Sequence, residues 1–131
     1  MVGTLSGFRY PGESDVVIST AESFGIDPRF LAALREAENG GPGREYGVLS
    51  VPAPTYDDQV TIAARTIRNN LDRYRTATGD DPVGWDGRYT EDFILWFSAR
   101  YAPVGASNDP TGLNSYHARN LSNSYAGVEV V

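Results

Sequence analysis

The segment from Leu31 to Pro54 most narrows what this chain can fold into. An apolar run, Leu31-Ala32-Ala33-Leu34-Arg35-Glu36-Ala37-Glu38, meets Asn39-Gly40-Gly41, and the stretch from Pro42 to Pro54 then holds two glycines and three prolines. Proline removes a backbone donor and glycine costs helix entropy, so no long helix passes through that stretch. The chain must therefore stop a helix there, cross a loop and begin again, with a short extended piece expected at Tyr46 to Val51. Glu38 falls in the last turn before the break. A carboxyl at the mouth of an apolar helix is partly desolvated, the environment in which such a group is tuned toward working pH and can donate a proton.

Periodicity organises the rest as helices. Ser14 is expected to cap a first helix whose Val17, Ile18, Ala21 and Phe24 share a face and whose stop is Gly25. Asp27-Pro28 opens the second as cap and first-turn proline, with Phe30, Leu31, Leu34 and Ala37 as its stripe. Thr55 caps a third, with Asp57 and Asp58 in its first turn and an apolar face at Val60, Ala63, Ala64, Ile67, Leu71 and Tyr74. Residues 76–89 read as a surface connection carrying Trp85. Thr90 caps a fourth helix, Glu91 to Tyr101, whose Phe93-Ile94-Leu95-Trp96-Phe97 is apolar on nearly all sides and is expected to be central. Pro103 ends it, residues 102–112 form a loop, and an amphipathic helix from about Asn114 to Tyr125 closes the chain. The expectation is an all-α single domain over residues 1–131, of about five helices, with its core at 14–125 and an irregular lead-in before it.

Composition removes several functions. The chain has 131 residues, no cysteine and one histidine, His117, so neither a thiolate nor a multi-histidine metal site is expected, and no cofactor. A net charge of −6 argues against nucleic acid as a partner. The first ten residues carry neither the basic nor the apolar region of a signal peptide, and no run is long enough for membrane insertion.

Glu38-Asn39, a glycine-rich loop and Gly47-Val48-Leu49-Ser50 follow one another in the order of the catalytic core of the lysozyme-like superfamily. The pattern resembles soluble lytic transglycosylases and goose-type lysozymes, whose signature reads Glu-Ser, a loop, then Gly-Leu-Met-Gln. Tyr101-Ala102-Pro103-Val104-Gly105 is similar to the Tyr-Asn-Ala-Gly element of the same family. The compact loop and the Tyr-Ala-Pro exit look most like small domains of phage and prophage origin.

The resemblance implies a substrate cleft and cleavage of the β-1,4 bond between N-acetylmuramic acid and N-acetylglucosamine in peptidoglycan. Glu38 would be general acid and then base, and Tyr101 would orient the acid or the substrate's N-acetyl group. Val48, Leu49 and Ser50 would line the substrate, Ser50 with a shorter reach than the family's Gln. Asn108 and Asn114 lie in or beside a polar turn suited to sugar hydroxyls. Glu45 is a candidate second carboxylate, either facing Glu38 or paired with Arg44 or Arg35. Glu36, two positions from Glu38, points about 200° around the helix and belongs to another face. His117 reads as structural. Delivery to the wall would come from a phage or another export route, with the chain monomeric or part of a larger assembly.

Two other readings compete: a non-catalytic glycan-binding or structural virion module on the same fold, and an unrelated helical interaction domain. The acidic balance and the departures at Ser50 and Ala102 favour the first of these.

Overall fold

The computed structural model describes residues 3–48, 52–102 and 116–131. Within them the chain is mainly helical. A strand β1 (Leu5–Ser6) and a 3-10 turn (Pro11–Glu13) lead into α1 (Ser14–Phe24), α2 (Pro28–Glu38), α3 (Tyr56–Thr78), α4 (Glu91–Tyr101) and α5 (His117–Gly127), and β2 (Glu129–Val130) ends the order. β2 pairs antiparallel with β1, Leu5 opposite Val130 and Ser6 opposite Glu129. The lead-in is thus tied down, and Leu5 and Phe8 belong to the core.

Cap chemistry sets most helix ends. The Asp27 side chain accepts from Arg29 N, Thr55 from Asp58 N and Thr90 from Phe93 N, each satisfying a first-turn donor. Gly25, Asn39 and Gly79 take the left-handed conformation that closes α1, α2 and α3. Ser14 does not cap α1. Glu13 precedes the helix in a right-handed helical conformation, because the 3-10 turn already winds the chain, and Ser14 becomes its first residue. The surface connection is shorter than expected, since α3 runs on to Thr78, and Trp85 in it is 99% exposed. The last helix starts at His117 and ends at Gly127.

The central helix is α2, not α4. Seven consecutive residues of α2, Phe30 to Glu36, are buried, whereas α4 leaves Leu95 53% exposed and Trp96 half-buried. The reason is position: α1, α3, α4 and α5 each adjoin the next around α2, which itself packs against α1, α3, α5 and β2. Ala32 and Ala33 keep two sides of α2 thin enough for that. Phe30 anchors the interior, its ring within 5.0–5.9 Å of those of Tyr89, Phe93, Phe97 and Tyr125. Asp27 ties the rim of this cluster, accepting from the Arg29 guanidinium and from Tyr125 Oη at 2.6 Å.

Two buried polar residues, Gln59 and Arg35, serve the α2–α3 loop. Gln59 is fully buried on α3; its Oε1 accepts from Tyr46 N and Val48 N, and its Nε2 donates to the carbonyls of Gly43, Val48 and Ala53. Arg35, buried on α2, donates to the carbonyls of Gly40 and Glu45 and to the Glu13 carboxylate, with its guanidinium 3.8 Å from the Tyr10 ring centroid. Tyr46 sits in a turn of this loop rather than in an extended piece, and Leu49, Ser50 and Val51 lie outside the described residues. Gln59→Leu keeps the volume and removes all five bonds; it is expected to cost about 2–4 kcal/mol, read by urea denaturation, because two buried N–H groups lose their acceptor.

Candidate functional site

Glu38 ends α2, and three separate segments meet at its side chain. Its Oε2 lies 2.7 Å from His117 Nε2 at the start of α5. Its Oε1 lies against Gly47: a Cβ on that residue would stand 1.8 Å from the oxygen, and Gly47 has a φ of +69°. Only glycine meets both demands, the left-handed backbone and the space the carboxylate fills. Tyr101, from the end of α4, donates through its hydroxyl to the Tyr46 carbonyl at 2.5 Å, one residue before Gly47, and stacks its ring on His117 at 6.0 Å.

Burial, reinforced by the charge of Glu38, pushes the Tyr101 hydroxyl far above the usual phenol range. It therefore stays protonated and acts as a donor. Burial does the same for Tyr46, whose hydroxyl lies 2.9 Å from that of Tyr56, itself a donor to Glu13. The carboxylate of Glu38 is 18% exposed at the side chain and the imidazole of His117 6%, so the pair is enclosed but reached by solvent. His117 Nδ1 lies 2.6 Å from Ser98 Oγ, buried on α4, which makes a chain of three groups, Ser98–His117–Glu38.

Some expected partners are elsewhere. The Glu45 carboxylate is buried within the loop, where it accepts from Gly43 N; neither Arg44 nor Arg35 pairs with it, and Arg35 reaches only its carbonyl. The partner that meets Glu38 is His117 instead. Glu36 turns to another face and accepts from Arg9 N at 2.7 Å. Val48 is buried with its backbone held by Gln59, so it shapes the loop from inside. Leu49, Ser50, Asn108 and Asn114 lie outside the described residues. Among the described residues no cluster of three metal-ligating side chains occurs.

Beside Asn39, between α2 and α5, an open depression of about 330 Å³ is lined by Arg9, Glu36, Asn39, Asn120, Asn123 and Ser124. Its walls are amides, hydroxyl and charge, groups that bond hydroxylated ligands. Asn39 Oδ1 is held by the Tyr10 hydroxyl.

Two of the organising residues were visible in the helix register but were not read as such. Gln59 is four residues before Ala63 and eight before Ile67, on the apolar face of α3; His117 stands likewise before Leu121 and Tyr125 on α5. A polar residue on an apolar stripe must have a partner inside.

No protein family, curated protein or solved structure matches the chain.

Gly47→Ala tests the contact with Glu38. The variant is expected to lose stability, and the loss should shrink by about 1 kcal/mol or more in a Glu38→Ala background, where the clash is gone and only the backbone strain remains. Urea denaturation of the four proteins measures it. Tyr101→Phe keeps both ring contacts and strips the donor from the Tyr46 carbonyl; a cost of about 1–3 kcal/mol is expected in the same assay.

Proposed function

We propose that this protein cleaves peptidoglycan glycan strands at the β-1,4 bond between N-acetylmuramic acid and N-acetylglucosamine, with Glu38 as the general acid and then base. The observation that carries the reading is the contact between the Glu38 carboxylate and Gly47. The acid and the first residue of the Gly-Val-Leu-Ser segment are nine positions apart, yet they touch. Tyr101, from the third motif, fixes the residue before that glycine. Glu38, Gly47 and Tyr101, one residue from each motif, lie near one another, which supports the reading.

In this reading Glu38 gives its proton to the glycosidic oxygen as that bond breaks, and the leaving sugar departs as an alcohol. The described residues set no second carboxylate beside Glu38, so the carbonyl oxygen of the substrate's own N-acetyl group closes on the anomeric carbon. Glu38, now ionised, takes a proton either from the C6 hydroxyl, giving a 1,6-anhydro product, or from water, giving a reducing end. Tyr101 acts through the loop, since its hydroxyl is spent on Tyr46. The depression beside Asn39 is lined by Glu36 and not by Glu38, so it stands apart from the acid. Access to the wall comes from a phage or another export route.

One observation favours a glycan-binding or structural virion module instead. Ala102, at the position of the family's Asn, is a buried apolar residue and offers the substrate no amide. Incubation with purified peptidoglycan followed by mass spectrometry of the muropeptides separates the readings. Anhydro or reducing-end fragments are expected from the native protein, with Glu38→Gln slower by about 10²-fold or more. No fragments from the native protein overturns the enzyme reading, and an unimpaired Glu38→Gln overturns the assignment of Glu38.

A further inference from the structure

The chain Ser98–His117–Glu38 has a direction. Ser98 and His117 are both buried, and among the described residues each ring nitrogen has one partner, Ser98 Oγ at 2.6 Å on Nδ1 and Glu38 Oε2 at 2.7 Å on Nε2. A neutral imidazole carries one N–H and one bare nitrogen, while an ionised carboxylate can only accept. For a neutral imidazole beside an ionised carboxylate, both contacts are satisfied together when Nε2 carries the proton and the Ser98 hydroxyl donates to Nδ1. A serine buried in this way, on the side of the imidazole away from Glu38, is not placed as a nucleophile.

We propose that His117 is a positioning residue for Glu38, which selects Oε1 as the oxygen that carries the reactive proton. This rests on the proposed function. With Nε2–H on Oε2, that oxygen is occupied, and the proton destined for the glycosidic oxygen sits on Oε1, beside Gly47. As that proton leaves, negative charge develops on the carboxylate and the bond from Nε2–H becomes charge-assisted, about twice as strong as a neutral one. The gain falls in the transition state, where it accelerates the step. No proton passes through His117. Ser98 fixes the tautomer, and the Tyr101 ring stacked on the imidazole fixes its plane.

The lone histidine makes the test direct, because one imidazole gives one pair of ring nitrogen resonances. In the native protein at neutral pH, a protonated Nε2 and a bare Nδ1 are expected; a bare Nε2, or a ring protonated on both nitrogens, overturns the proposal. Turnover on peptidoglycan supplies the second arm. His117→Phe keeps a ring against Tyr101 and removes the donor, and should lower kcat by about 10²-fold with KM nearly unchanged. His117→Gln restores an N–H at the Nε2 position and should recover at least about a tenth of the native kcat. Unimpaired turnover in His117→Phe, or a His117→Gln variant no better than it, overturns the role. Circular dichroism on each preparation confirms folding. A native protein with the expected tautomer and no turnover overturns the glycan reading alone.

Discussion

Everything at the end of α2 depends on burying irregular backbone without leaving it unpaired. Backbone groups of Gly40, Gly43, Glu45, Tyr46, Val48 and Ala53 are met by buried side chains, and a buried orphan would cost about 1–3 kcal/mol. Arg35 meets them from below and Gln59 from the side, so two polar side chains replace the hydrogen bonds that a helix or sheet would make. The loop is held rigid enough to set Gly47 against a carboxylate with no room for a methyl group.

The same logic explains why burying Arg35 and Glu36 on the central helix is tolerated. Arg35 has Glu13 and two carbonyls, and Glu36 has the Arg9 backbone donor. A buried charge without such partners would be strongly destabilising. Their presence on α2 also separates roles along one helix. Arg35 and Glu36 build the scaffold, and Glu38, one turn on from Arg35, is left with a largely enclosed carboxylate that solvent still reaches and a histidine partner.

Local chemistry was legible wherever one residue type answers one backbone need. Asp27, Thr55 and Thr90 as caps, Gly25 as a stop and the limits of α4 all follow from short windows. Ser14 misled because the preceding 3-10 turn, not a side chain, starts α1. Hydrophobicity alone could not rank the helices by depth: Phe93 to Phe97 of α4 is the more apolar run, but neighbours on all sides bury α2 more completely. At the candidate site, motif order brought Glu38 and Tyr101 forward as candidates. The register of α5 called for an inside partner for His117, but that this partner is Glu38, 79 positions away, was not legible.

The depth of α2 also has a dynamic consequence. A helix enclosed for seven successive residues can open only when its neighbours leave, so its inner amides should exchange with solvent at the rate of global unfolding. Two residues past that enclosure the helix ends in a left-handed asparagine. Glu38 therefore stands on a boundary: behind it lies enclosed helix, and the backbone ahead is held by turn bonds and by the side chains of Arg35 and Gln59. A carboxyl mounted there inherits the stillness of the core for its position, and the loop that faces it is pinned as well.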